Sequence, residues 1–297
     1  MKKAYFYGGI AILFWSTIAA ITKLMLGDLS SMHILSATML LASISLFFAN
    51  LWRGNLHHFR AYKFRDYLYM FFLGAIGLFL YKLLLYIGID SMMASQAFII
   101  NYLWPIMIVL FACLILKEPL TARKAIAIVL SFVGVIIVTA DGSLGGMTKE
   151  SLTGALCCLL AAISYGLFAV LNKQKGYDNL SSMLVYHIVA WFLSAMFNLL
   201  SGDLFIPQAA QLPGLIWSGV GCSAVANTLW FMAMSQGETA KISTMAYLTP
   251  FLSLIWTAVL LGEPIRWTSV LGLIVIVSGI LLQMQPLRPK QNADRAS

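Results

Sequence analysis

This sequence has little acid: 11 Asp and Glu among 297 residues, beside 19 Lys and Arg and a total charged fraction of 10%. A water-soluble domain carries about 25% charged residues, so a soluble fold of this size is excluded. The acids sit at the ends of apolar runs or between them, and none is paired inside a run as a metal centre or proteolytic dyad would need. No His-Glu-x-x-His stretch occurs. His33, His57 and His58 belong to connections or their edges, and His187 stands alone in an apolar run. Cysteine is also rare. Cys113, Cys157, Cys158 and Cys222 all lie in apolar runs, without metal-ligand spacing and away from the exposed loops where structural disulfides form. They read as small core residues, and no metal or cofactor is expected.

What the sequence has in excess is apolar surface. Hydrophobic residues make up 61% of the chain, gathered in blocks of about 20, the length that crosses ~30 Å of hydrocarbon as a helix. Backbone polar groups in lipid must be satisfied within their own segment, so the blocks are helical. Ten spans are expected at roughly 4–26, 31–52, 66–88, 92–116, 120–140, 151–172, 181–201, 212–235, 239–261 and 267–284. The first run is longer than the ~7–15 residues of a leader peptide, contains Trp15 and ends near Lys23, so it reads as a retained helix. The last stretch, 285–297, is polar and reads as a disordered tail.

The basic excess has a direction. With ten spans, fifteen Lys and Arg fall on the side of both termini, Arg53, Arg60, Lys63 and Arg65 among them. Lys23, Lys149 and Arg266 fall on the other, and Lys82 lies within a helix. The positive-inside rule then places both termini in the cytoplasm of a cell with this protein in its inner, plasma membrane. It also accounts for a net charge of +8 without nucleic acid.

The chain also repeats itself. Tyr102-Leu103-Trp104-Pro105 is followed after twelve residues by Glu118-Pro119, and Tyr247-Leu248-Thr249-Pro250 after twelve by Glu263-Pro264, an offset of 145. Gly74 matches Gly219 and Gly134 matches Gly279 at that offset, whereas Trp15-Ser16…Lys23 matches Tyr165-Gly166…Lys173 at 150. Five spans per copy is an odd number, so the second copy must enter the membrane from the opposite side. The expected fold is an all-α membrane protein of ten transmembrane helices in two inverted five-helix repeats, 4–140 and 151–284.

Ten helices in inverted halves, with a proline in the fourth and ninth and a Glu-Pro turn after each, resemble the EamA-type branch of the drug/metabolite transporter superfamily. Asn101-Tyr102-Leu103-Trp104-Pro105 is similar to the helix-four motif of YddG-type exporters of aromatic amino acids. The resemblance implies export of small metabolites, often amino acids, through a basket of helices one, three, four, six, eight and nine. The fold also implies carriers of drugs or of nucleotide- and sugar-type metabolites as alternatives. A channel would show a pore ring or filter, and none is evident.

Lys82 is the candidate with most at stake. It lies eight residues before Asp90 and seventeen after Arg65, or ~12 Å and ~25 Å along a helix. A cation at that depth costs at least a few kcal/mol against lipid. It either snorkels or faces a central cavity and attracts a carboxylate. At offset 145 it matches Asn227, another polar residue deep in an apolar run. Trp230 follows Asn227 by three residues, on nearly the same helical face. Pro105 and Pro250 are expected as mid-helix kinks that free the carbonyls of Asn101 and Ala246, either toward substrate or against packing neighbours. Asn101, Tyr102 and Tyr247 cluster with those kinks, and Ser16 and Tyr165 fall in matched regions of helices one and six. Glu118 and Glu263 each precede a proline and read as helix-start residues rather than a proton relay. Without a buried acid, coupling is expected to be facilitated export or antiport down a substrate gradient. The expected partners are a small-molecule substrate and the lipid bilayer, with no nucleic acid, and the assembly a monomer or a homodimer.

Overall fold

A computed structural model describes residues 2–140, 148–236, 242 and 245–284, and among these every regular element is helical. Eight helices are long and apolar enough to cross a membrane: α1 Lys3–Leu26, α2 Ser31–Trp52, α3 Phe64–Ser91, α4 Ala94–Ile115, α5 Ala122–Ala140, α6 Lys149–Lys175, α7 Asn179–Leu200 and α8 Leu212–Met234. Two shorter apolar helices come after them, α9 Leu248–Leu261 and α10 Trp267–Leu282. The tail at 285–297 lies outside the described residues.

Local chemistry sets the ends. Ser30, Thr148 and Asp178 accept the N–H of the residue three ahead, His33, Ser151 and Ser181, at 3.2, 3.1 and 2.8 Å. These caps satisfy amide groups that a helix start leaves open. Gly176 closes α6 in the left-handed region at φ +62°, which a glycine adopts without steric cost. The Tyr177 phenol donates to Asp66 at 3.1 Å, and burial followed by that carboxylate push its pKa up to about 12, so it remains a donor.

Helix partnerships repeat under exchange of the halves. α2 packs on α7 and α5 on α10, while α1 packs on α8 and α9 just as α6 packs on α3 and α4. α2 and α7 run antiparallel. Asn50 at the end of α2 donates to the Leu180 carbonyl at the start of α7, 3.1 Å, and His33 at the start of α2 meets Asp203 beyond the end of α7, 2.9 Å. Small residues allow such contacts where lipid gives helices no hydrophobic drive to associate. A Cβ added at Gly134 would lie 2.8 Å from the Gly272 carbonyl oxygen, and one at Gly279 would lie 2.9 Å from that of Ala127. The matched Gly74 and Gly219 do equivalent jobs, α3 against Tyr186 and Val189 of α7, and α8 against Thr38 and Leu41 of α2.

Each peripheral helix has two faces. On α5, Ile126, Val129, Val133 and Ile136 are exposed, whereas Ala127, Ser131, Gly134 and Val138 are buried against α10. An apolar face bare to solvent over a whole helix fits a hydrocarbon surrounding. The first segment of α4, Ala94–Asn101, is buried at every residue.

Candidate functional site

Two matched helices lose α-helical register at the same depth. Ala75–Leu80 of α3 and Trp217–Val225 of α8 are π-helical. Such segments are rare and recur at functional sites, because the widened turn re-aims the side chains beyond it. Each ends two residues before one member of the matched pair, Lys82 after Leu80 and Asn227 after Val225. The pattern of residue types did not reveal these segments; the paired glycines were the only sign of irregularity.

Lys82 and Asn227 then differ. Lys82 is half-buried, with Nζ 5.9 Å from the ring centroids of both Tyr81 and Tyr86. That is the edge of cation–π range. The described ion pairs, His33–Asp203 and Lys124–Glu118, do not include it. The Asn227 amide is also half-buried, but it donates to the Ser223 carbonyl one turn back at 2.6 Å.

From Lys82 a chain of rings crosses the interior. Tyr81 lies 5.0 Å from Tyr165, Tyr165 5.5 Å from Trp104, Trp104 5.9 Å from Tyr102 and Tyr102 6.5 Å from Tyr247. It links α3, α6 and α4 to the start of α9. The Tyr81 hydroxyl, which residue pattern alone did not single out, accepts from Asn101 Nδ2 at 3.3 Å. The Asn101 side-chain oxygen is buried without a partner, at an expected cost of about 1–3 kcal/mol. Lys82, Asn101, Tyr102, Tyr165 and Tyr247 are thus linked through Tyr81 and Trp104.

Ser16 and Trp230 belong to a second group. Trp15 and Trp230 rings lie 5.2 Å apart, Trp15 Nε1 donates to the Cys222 carbonyl at 3.1 Å, and Trp256 Nε1 donates to Ser16 Oγ at 3.0 Å. Thr17, at a break in α1, accepts from Trp217 Nε1 at 2.8 Å. This group joins α1 to α8 and α9. All four cysteines are free, and Cys158 and Cys222 are buried.

Several expectations need correction. Pro105 and Pro250 do not kink continuous helices. α4 breaks at Tyr102-Leu103 and restarts at Trp104, and α9 starts at Leu248, so each proline occupies a first turn, where an N–H has no partner to lose. Pro105 is half-buried and Pro250 buried. The Ala246 carbonyl accepts from the Tyr102 hydroxyl and from Thr249 N–H, so it does not face a cavity unpaired. Among the described bonds, Glu263 reaches a helix other than the one it precedes. It accepts from the N–H of Ala94 and Ser95 at the start of α4, while Thr121 caps α5 and Glu118 pairs with Lys124 at 3.1 Å. His187, alone in its apolar run, bonds to the Met183 carbonyl of its own helix at 2.7 Å. Two surface clefts, one lined by Asp90, Ser91, Lys149, Glu150 and Thr153 and one by Lys63, Arg65, Asp66, Tyr69 and Lys175, include none of the ten candidate residues.

Comparison with known proteins agrees with this architecture. The profile of the EamA-like transporter family matches twice, over residues 2–140 and 152–285. An uncharacterized transporter of Bacillus subtilis (strain 168), YvbV, is 27% identical over 217 residues, covering 71% of this chain and 68% of its own length. The aromatic amino acid exporter YddG of Ancylobacter novellus is 22% identical over 178 residues, 60% of this chain and 62% of its own. A solved crystal structure superposes with a TM-score of 0.69 over 96% of this chain and 97% of its own at 20% identity, a likeness of fold. With its family profile matched once in each half, this chain belongs to the EamA-like transporter family and is a multi-pass membrane transporter.

Proposed function

We propose that this transporter exports amino acids or similar small carboxylate-bearing metabolites across the plasma membrane, with both termini in the cytoplasm. The observation that carries the reading is Lys82: an ammonium inside a membrane helix, beside Tyr81 and Tyr86, with no acid among its described partners. Intramembrane cations are retained where they face a pathway or a partner, and here the substrate supplies the counter-charge. The Asn101 side-chain oxygen, buried without a partner, is an acceptor for the substrate's amino group. The rings of Tyr81, Trp104 and Tyr165 suit an aromatic or aliphatic side chain. YddG, a relative that exports aromatic amino acids, supports the same class. Transport proceeds by one half rocking against the other around these residues. It runs down the substrate gradient, because Lys82 has no acid among its described partners to carry a proton.

A resistance screen tests the substrate class. Cells overproducing the protein are challenged with toxic amino-acid analogues, nucleoside analogues and cationic dyes. Resistance confined to amino-acid analogues, and lost in Lys82→Ala protein of normal membrane abundance, is expected. Resistance to cationic dyes alone contradicts the reading, since an unpaired ammonium repels them. Efflux from proteoliposomes should proceed equally with and without an imposed pH gradient, and strict dependence on the gradient rejects the proposed coupling.

A further inference from the structure

The start of α3 and the end of α6 enclose a cleft of about 410 Å³, lined by Lys63, Arg65, Asp66, Tyr69 and Lys175. Three cations meet one carboxylate there, and that carboxylate is already engaged. Asp66 accepts from the Lys63 N–H at 2.9 Å on one oxygen and from the Tyr177 hydroxyl at 3.1 Å on the other. Asp178, the acid of the adjoining turn into α7, accepts from Ser181 N–H at 2.8 Å and Ser181 Oγ at 2.6 Å. Both acids serve helix starts. The cleft is left with an excess of positive charge, and its three cations are exposed. One of them is held in place: Lys175 Nζ lies 4.6 Å from the Tyr69 ring centroid, and the Tyr69 hydroxyl donates to the Leu171 carbonyl at 3.5 Å.

Two further features set the depth of this cleft. A tyrosine cluster stands beside it, with the Tyr62 ring 6.1 Å from Tyr67 and 5.5 Å from Tyr177. Tyrosines gather where a membrane surface offers an apolar and a wet side together. From the same end of α3 an exposed apolar stripe runs toward the middle of the span, through Phe64, Leu68, Phe71 and Phe72. These recur at helical spacing and so share one side. Phe64 and Leu68 are each followed by a residue of the cleft, Arg65 and Tyr69, so the cationic cleft and the apolar stripe are neighbours on one helix. A soluble anion would use only the cations; a molecule with an anionic head and acyl chains matches both surfaces. The repeat has not copied the arrangement. At offsets 145 and 150, Arg65 and Lys175 correspond to Ala210 and Met25.

We propose that this cleft binds the anionic headgroup of a phospholipid, with Arg65 and Lys175 on its phosphate and its acyl chains along Phe64, Leu68 and Phe72. Basic pockets between membrane helices suit such headgroups, and a guanidinium offers paired donors to a phosphate. Arg65 belongs to the first half and Lys175 to the second, so the bound lipid ties α3 to α6 across the two repeats. The test is native mass spectrometry of the full-length protein in neutral detergent, mixed with equal amounts of dioleoyl-phosphatidylglycerol and dioleoyl-phosphatidylcholine. The protein should retain phosphatidylglycerol over phosphatidylcholine by roughly fivefold or more, and Arg65→Gln with Lys175→Gln should bring the ratio below about twofold. Arg53→Gln with Lys117→Gln, which removes two exposed cations outside the cleft, should leave the ratio unchanged. Arg65→Lys with Lys175→Arg should keep most of the preference. Arg65→Gln alone replaces the paired variant if that one does not fold, with a partial loss expected. Excess inorganic phosphate should not displace the lipid. Absence of the preference in the unsubstituted protein, equal loss in both glutamine pairs, or displacement by phosphate overturns the proposal. Lipid retention needs no transport, so its outcome stands apart from the substrate assays above.

Discussion

The turns after α4 and α9 share a backbone and differ in what their glutamates hold. Each contains a left-handed residue, Lys117 at φ +56° and Gly262 at φ +67°. In each the glutamate N–H reaches six residues back, to Ala112 or Thr257, at 3.3 Å. Glu118 then turns to a lysine of its own half and Glu263 to a helix of the other. The residues after the two π-helical segments diverge in the same way. Lys82 keeps an ammonium with no acid partner among the described ion pairs, and Asn227 spends its amide on its own helix. Duplication has kept the chain path, which many residues determine together, and has let single side chains take separate roles.

The largest expected effect lies at the Lys82–Asn227 pair. A hydrogen bond to a charged group contributes about 1.5–3 kcal/mol, so Lys82→Ala should lower transport of a carboxylate substrate by roughly 10- to 100-fold. Asn227→Ala should cost no more than about threefold, since only a local bond is lost. Equal losses, measured as initial efflux rates at matched protein, would erase the difference between the two positions. Next come the glutamates. Glu263→Ala removes three bonds to a carboxylate and should destabilise the fold by about 1–3 kcal/mol. Glu118→Ala breaks an exposed ion pair worth less than about 1 kcal/mol. Thermal unfolding in detergent ranks the two, and a larger loss from Glu118→Ala would reverse the assignment. The smallest effect is at the turn itself. Lys117→Gly relieves a left-handed residue and should stabilise by about 1 kcal/mol, while Gly262→Ala should destabilise by a similar amount. The same melting experiment reads both.

The fold was legible because its determinants are local or repetitive. Span length and the recurring Pro and Glu-Pro are patterns in one dimension, and the matched glycines do meet equivalent partners. The prolines stand at equivalent sites, as the repeat requires, but they start helices rather than kink them. Nothing in the composition of Tyr102-Leu103 announces that α4 stops there and begins again. The grip of Glu263 on Ala94 spans 169 residues of sequence. Its short-range alternative, capping the helix after Pro264, is the reasonable reading of the same residue in one dimension. The π-helical segments escape a sequence reading because a register slip depends on which carbonyl each N–H selects, which residue type does not dictate.

The central claim is that Lys82 reads a carboxylate, and proteoliposome counterflow of an amino acid and of its primary amide tests it most directly. The unsubstituted protein should carry the acid better than the amide. In Lys82→Ala, acid transport should fall to the level of the amide while amide transport changes little. Acid and amide falling together, or neither falling, would contradict the account.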